Sequence, residues 1–160
     1  MDIHPISDLN DRDPQRLINF YHSLPCTANS GAKILSISEG LDHIVMKIPF
    51  NEQTKNFMGI TYGGAMYSAT DAVYVTMLWY RLGYDYLVID KSSTVKYLRP
   101  GTEDLTVEFH LPESEINAIK AELKSKKSTS RNYPINIVNG KGKAVCKITK
   151  EIVIRNNRRK

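Results

Sequence analysis

The sequence predicts an α+β domain in which antiparallel strands surround one buried helix. Two early segments and about four later ones alternate apolar and polar residues, which is the period of half-buried strands. Between them, residues 63–82 carry apolar side chains at helical spacing with almost no charge, which indicates a largely buried helix. No linker, repeat or low-complexity segment interrupts the chain, so we predict one domain over residues 1–160 with its core at about 28–155.

Start and stop signals give the elements their bounds. Pro14 suits the first turn of an N-terminal helix, and Pro25 is expected to end that helix. Gly63 opens the buried helix and Gly83 stops it. Tight turns over residues 40–42 and 139–142 join the first two and the last two strands as hairpins. The predicted elements are helix 5–24, strands 33–39 and 43–50, helix 63–82, strands 86–98 and 104–111, helix 112–127, and strands 133–138 and 144–154.

The buried helix carries one carboxylate, Asp71. A stripe of Met66, Ala69, Val73 and Met77 at helical spacing predicts which face is buried. An unpaired carboxylate in such a helix is costly, so Asp71 needs a partner, solvent or a function. It could activate water as a general base or attack directly as a nucleophile, and the residues leave both open. The structural alternative is an aspartate that pairs with a nearby cation or points to solvent.

Charge and composition narrow the classes of function. The chain of 160 residues has a formal net charge of +5, with basic residues concentrated in segments 120–131 and 155–160. A basic surface suits anions, either nucleic acid or a phosphate-rich cofactor, although solvated surface charge explains most such runs. No helix-turn-helix, zinc-finger or RNA-binding signature is present, so we expect no nucleic-acid partner.

The sequence also bears on localisation, disulfide bonds and metal binding. No apolar run approaches the ~20 residues of a membrane helix, and the acidic N-terminus is not a signal-peptide pattern. The two cysteines form neither a disulfide framework nor a zinc motif. We therefore expect a cytoplasmic protein with no membrane association. The histidines, at positions 4, 22, 43 and 110, are not spaced as metal ligands, so we predict no metal.

The segment at residues 56–64, NFMGITYGG, followed by Asp71, resembles the signature of hot-dog-fold acyl-CoA thioesterases. The phenylacetyl-CoA thioesterase group is the best-known relative, and the chain is similar to a branch of thioesterases that has a Tyr-Gly-Gly or His-Gly-Gly motif. Residues 90–101, which begin with Asp90 and Lys91, resemble the strand after the central helix in that superfamily. The resemblance covers roughly residues 15–155. It departs from the phenylacetyl-CoA group at Tyr62, where that group has a histidine.

The resemblance implies a sheet wrapped around one long central helix, with an N-terminal helix and a helical insertion. It implies an acyl-CoA thioesterase without a separate cofactor, since coenzyme A belongs to the substrate, and a homodimer or a tetramer. Gly64 would supply backbone N–H groups at the helix N-terminus to the thioester oxygen. The implied catalytic residues are Asp71, Gly64 and Asn56, and the implied substrate-binding residues are Gly63, Tyr62, Tyr67, Asp90, Lys91 and Arg99.

Several of these assignments have structural alternatives. Gly63 and Gly64 could simply permit a tight turn into the helix, and Asn56 could cap a loop. Tyr67 could be core or dimer interface. A charged pair inside an apolar strand is unusual, so we expect Lys91 to pair with Asp71 or Asp90. Arg99 could meet the coenzyme A phosphates or be surface charge.

The spacing of Gly64 and Asp71 predicts a site shared between two chains. Seven residues separate them, which is roughly 10 Å along a helix axis. One thioester and one water do not span that gap. Two helices that lie antiparallel across a twofold axis would instead bring Asp71 of one chain to Gly64 of the other.

Three other functions compete with hydrolysis. A hot-dog dehydratase pairs a histidine with an acid, and no histidine lies near the Gly63–Gly64 turn. A non-catalytic acyl-CoA-binding protein would not need Asp71. A purely structural dimer is the third alternative.

Overall fold

The computed structural model describes residues 14–83 and 85–156. Part of the predicted N-terminal helix, residues 5–13, lies outside the described residues. None of the helices in the described ranges is long and apolar enough to cross a membrane. The elements are α1 (Pro14–Ser23), α2 (Pro25–Ser30), β1 (Lys33–Ile37), β2 (His43–Ile48), α3 (Gly63–Thr70), α4 (Val73–Leu82), β3 (Tyr86–Tyr97), β4 (Leu105–His110), α5 (Glu113–Glu122), β5 (Ser128–Val138) and β6 (Ala144–Asn156).

The six strands form one antiparallel sheet in the order β1-β2-β4-β5-β6-β3. Both predicted hairpins are confirmed, because β1 pairs with β2 and β5 pairs with β6. At the second turn the Asn139 N–H donates to the Lys143 carbonyl at 3.0 Å. β3 follows the helices in sequence but pairs only with the last strand, β6, so it forms one edge of the sheet.

The sheet wraps around α3 and α4, and the core lies between the sheet and these helices. Alternating strand residues supply one side, among them Met46, Phe109 and Ile152. The predicted helical stripe supplies the other side, with Ala69 and Met77 fully buried. An α+β antiparallel sheet around a central helical element is therefore confirmed as the fold class.

The central helix is interrupted, which corrects the prediction of one continuous helix over residues 63–82. α3 ends at Thr70 and α4 begins at Val73, with Asp71 and Ala72 between them. Both intervening residues keep right-handed φ and ψ, at −60° and −54° for Asp71 and −89° and −4° for Ala72. The chain therefore bends here without reversing direction.

Two other bounds differ from the prediction. Pro25 ends α1 but also starts α2, because a proline fits the first turn of a new helix as well as it stops an old one. β5 begins at Ser128, five residues before its predicted start at Tyr133, since its first half pairs with β6 over polar residues that show no apolar alternation. α1 is anchored to α3 by the Tyr21 hydroxyl, which donates to the Ala69 carbonyl at 3.1 Å.

Candidate functional site

The predicted site residues fall into two groups that are separated by the length of α3. At the start of α3 an open pocket of about 490 Å³ forms, which we call the N-terminal pocket. At the end of α3 lies a set of polar side chains around Asp71, which we call the Asp71 cluster. The N-terminal pocket is lined by Asn56, Tyr62, Gly63 and Arg99, together with Ile60, Thr61, Met66, Tyr97, Leu98, Pro100 and Gly101. The Asp71 cluster consists of Asp71, Asp90, Tyr67 and Lys150.

Backbone contacts fix the entrance to α3. The Thr61 N–H donates to the Gly101 carbonyl at 2.8 Å, and the Tyr62 N–H donates to the Thr54 carbonyl at 2.7 Å. Tyr62 is extended, at φ −64° and ψ 131°, and no side chain caps the helix. The first turn of a helix has N–H groups without partners within the helix, at the positive end of its dipole. A ligand in the N-terminal pocket therefore meets a partial positive charge.

The two glycines at this entrance make room for tyrosine rings. Neither has a positive φ, so the backbone conformation alone does not demand glycine. A Cβ on Gly63 would lie 2.8 Å from the ring of Tyr97, and a Cβ on Gly64 would overlap the ring of Tyr62. The structural alternative for these glycines is therefore observed, because both are packed closely against tyrosine rings.

Asn56 closes the loop before α3. Its side-chain oxygen accepts hydrogen bonds from the backbone N–H groups of Met58 at 2.9 Å and Ile60 at 3.3 Å. This is the loop-capping role that sequence analysis left as an alternative. Arg99 donates to the carbonyl of Ala144, and its side chain is exposed at the rim of the pocket.

Lys150 organises the Asp71 cluster. Its Nζ donates to Asp71 Oδ1 at 2.6 Å, to the Asp71 backbone carbonyl at 2.8 Å and to Asp90 Oδ2 at 2.6 Å. An ammonium has three donors, and all three are used here. The Lys150 side chain is 0% exposed, whereas that of Asp71 is 54% exposed. Asp71 thus presents a fixed carboxylate toward the outside of the core.

The surroundings of Lys150 favour its charged form. Burial is the largest influence and lowers the pKa of the ammonium, but the hydrogen bonds and charges of Asp71 and Asp90 outweigh it and raise the pKa above its ordinary value. The ring of Tyr67 lies 5.2 Å from Nζ and adds a cation–π contact. The Tyr67 hydroxyl in turn donates to Ser93 Oγ at 3.2 Å.

β3 has a bulge directly after Asp90, beside this cluster. Asp90 lies opposite Ile152 and Ser92 lies opposite Glu151, so Lys91 is an extra residue in the strand. Ser93 then lies directly opposite Lys150. The bulge keeps both Asp90 and Ser93 on the inner side of the sheet, next to Lys150.

The predicted pairing of Lys91 with Asp71 or Asp90 is wrong. Lys91 Nζ pairs with Glu151 Oε1 at 2.8 Å, and the Lys91 side chain is 58% exposed. Asp90 faces inward, so the next residue, Lys91, faces outward, and Lys150 neutralises the two aspartates instead. We therefore remove Lys91 from the candidate site and add Lys150.

Sequence analysis missed Lys150 although a signal was present. In β6, residues Cys146, Ile148, Ile152 and Ile154 alternate and are buried, and Lys150 falls in phase with them. A lysine at a core-facing position of a strand needs buried acids as partners. Asp71 and Asp90 were the acids in the predicted site that could pair with Lys150.

The fold and the comparisons with known structures define a hot-dog-fold protein. The chain belongs to the family described as a domain of unknown function, DUF4442, whose model matches residues 17–154. No curated protein matches the chain.

Solved structures match along nearly the whole chain. A Pseudomonas aeruginosa protein of unknown function, named a probable thioesterase, has a TM-score of 0.80 at 16% identity and covers 89% of this chain and 96% of its own. A Haemophilus influenzae thioesterase has a TM-score of 0.66 at 16% identity, covering 91% and 92% respectively. The Escherichia coli PaaI protein from the phenylacetic acid degradation operon has a TM-score of 0.59 at 21% identity, covering 86% and 89%.

Proposed function

We propose that this protein hydrolyses acyl-coenzyme A thioesters as a homodimer. The observation that carries the proposal is the Asp71 carboxylate, which is half exposed while one of its oxygens is held by the buried Lys150. Such a carboxylate can take a proton from water or attack a thioester carbonyl itself. Two of the similar structures are named thioesterases, which supports the same reaction.

The N-terminal pocket supplies the second requirement of the reaction. Backbone N–H groups of Gly63 and Gly64 would stabilise the negative charge that develops on the thioester oxygen. Preorganised donors of this kind are typically worth ~3–4 kcal/mol of the barrier each. Tyr62 and Tyr97 would flank the reacting group, because both line the pocket. Arg99, exposed at the same pocket, would attract the phosphates of coenzyme A.

The homodimer is supported by the edge strand β3. It has 12 residues and is unpaired on one side among the described strands, whereas the opposite edge strand, β1, has 5 residues. Leu87 and Ile89 are exposed on β3, and Tyr97 is exposed at its end. A long edge strand with exposed apolar side chains can pair with another chain. A second copy that pairs across a twofold axis would cover this edge in both chains.

A panel of acyl-CoA substrates tests the activity directly. We expect the wild-type protein to release free thiol from at least one of them. We expect Asp71→Asn to fold normally and lower kcat by about 10²–10⁴-fold, since it removes the base or nucleophile. The control is Asp104→Asn, an exposed carboxylate that pairs with Lys47 outside both groups.

Two results would contradict the proposed hydrolysis. Wild-type kcat in Asp71→Asn would contradict the catalytic assignment. Binding of a non-hydrolysable acyl-CoA in calorimetry, without thiol release from any member of the panel, would replace hydrolysis with acyl-CoA binding.

A further inference from the structure

A second group of chemically active side chains lies on the outer face of the sheet, which turns away from α3. His43 on β2 and His110 on β4 are directly opposite each other in the antiparallel pair. Glu108 precedes His110 by two residues, so it shares the same face of β4. None of the three side chains is buried. The proposed hydrolysis uses none of them.

The distances within this group match the edges of a metal coordination shell. His43 Nε2 lies 3.2 Å from Glu108 Oε2, and His110 Nε2 lies 3.4 Å from the same oxygen. Ligands at Zn–N and Zn–O distances of about 2.0–2.2 Å around a tetrahedral ion are about 3.3 Å apart. The three ligand atoms all lie within 4.8 Å of one another.

The third edge requires the two imidazole rings to turn out of their parallel stack. The two imidazole rings are stacked, with centroids 4.1 Å apart and an angle of 11° between their planes. A tilt of the rings about their side-chain torsions brings the two Nε2 atoms toward each other. Both rings are partly exposed, so no core packing opposes this movement.

We propose that His43, Glu108 and His110 bind one divalent transition-metal ion, with Zn²⁺ as the best-fitting probe. Two imidazoles and one carboxylate form a ligand set that suits Zn²⁺ rather than Mg²⁺ or Ca²⁺, which prefer oxygen alone. The carboxylate also offsets one of the two charges of the ion. The proposal departs from the expectation of no metal, which rested on histidine spacing in the sequence, because strand pairing and not sequence spacing brings these three side chains together.

The fourth coordination position is open to a pocket. β4 and β5 pair only at Thr106 with Val138 and at Val107 with Ile137, and beyond these pairs the strands separate. The gap is an open pocket of about 740 Å³ that Glu108 and His110 line on one side. Three protein ligands leave the fourth position of a tetrahedral ion for water or for an anionic ligand in this pocket.

Metal titration of the full chain tests the proposal. After treatment with a chelator, calorimetric titration with Zn²⁺ should give one site per chain. Titration with Co²⁺ should give the visible absorption of a tetrahedral complex. His43→Ala, His110→Ala and Glu108→Gln should each weaken Zn²⁺ binding by more than about tenfold, because even loss of an outer partner of a metal ligand costs that much.

Two variants control for nonspecific effects. His22→Ala removes the imidazole of α1 and Glu52→Gln removes an exposed carboxylate, both outside this group, and both variants should bind Zn²⁺ as the wild type does. Thermal unfolding without metal checks that every variant is folded. No stoichiometric Zn²⁺ binding by the wild type, or binding that His43→Ala and His110→Ala leave unchanged, would overturn the proposal.

Discussion

Among single residues, Lys150 and Asp71 form the central contact of the candidate site. The ammonium is buried, and its three donors end on Asp71 and Asp90. It also contacts the backbone carbonyl of Asp71 at the point where α3 gives way to α4. A side chain that inserts against a helix carbonyl is one cause of a bend. Lys150 therefore fixes both the carboxylate of Asp71 and the backbone that carries it.

Lys150→Met keeps the length of the side chain and removes its charge. We expect the free energy of unfolding to fall by about 3–5 kcal/mol, because two carboxylates then lose their buried partner. We also expect kcat on the best acyl-CoA to fall while KM changes little, since Lys150 positions Asp71 and does not contact substrate. Urea unfolding and steady-state kinetics measure the two effects.

Lys147→Met is the matched control, because Lys147 lies on the same strand but on its exposed face. It should change neither property. Lys150→Arg should retain part of the stability but less of kcat, since a planar guanidinium does not reproduce the donor directions of an ammonium. Unchanged kcat in Lys150→Met would show that Asp71 does not need this positioning.

Asp71 was predictable as a site residue from the sequence, but its pairing with Lys150 was not. Asp71 stood out because it is a lone charge in an apolar helix, and its isolation was visible locally. Its partner is 79 residues away in the chain, and the pairing depends on the register of β6 against β3. The sequence offered Lys91 as a nearer candidate. Adjacent residues of a strand face opposite sides, so an inward-facing Asp90 leaves Lys91 facing outward.

At the scale of elements, β3 combines a bulge with an exposed edge. Inward-facing residues are Val88 and Asp90 before the bulge and Ser93 and Val95 after it. Strict alternation from Asp90 would place Ser92 inward. The β-branched and aromatic residues of β3 predict a strand, whereas its bulge depends on pairing with β6. Likewise, helix 63–82 was predictable from its apolar stripe, but its break at Asp71 depends on Lys150.

Deletion of Lys91 should be tolerated. The remaining strand keeps Asp90 opposite Ile152 and Ser92 opposite Glu151, and the alternation becomes regular. The lost ion pair with Glu151 is exposed and is worth at most about 1 kcal/mol. We expect a urea midpoint and a kcat close to those of the wild type. The matched deletion of Thr149 in β6 has no bulge to absorb it and should prevent folding, because β6 pairs on both sides. Loss of kcat on deletion of Lys91 alone would show that the bulge itself aims Asp90.

At the scale of the whole molecule, the two halves of the candidate site are too far apart to act within one chain. Gly64 is the second residue of α3, and Asp71 follows its last residue. Seven residues of helix span about 10 Å, whereas both groups must approach one reacting carbonyl to about 3 Å. Pairing of two β3 edges across a twofold axis would place two copies of each half in one dimer. We therefore expect the N-terminal pocket of one chain to work with the Asp71 cluster of its partner.

Two purified hybrid dimers test this shared site, provided that each variant folds and dimerises. The first joins an Asp71→Ala chain to a Gly64→Pro chain, in which proline removes an N–H donor of the first helical turn and its Cβ requires the exposed Tyr62 ring to move. In a shared site, this hybrid has one unaltered N-terminal pocket that faces one unaltered Asp71. It should therefore keep about half of the wild-type kcat per dimer, whereas both parent homodimers should be inactive. The second joins a wild-type chain to a chain with both substitutions. In a shared site, each of its two sites then has either a substituted Gly64 or a substituted Asp71, so this hybrid should be inactive. Sites confined to single chains reverse both results, because only the second hybrid would retain an unaltered chain.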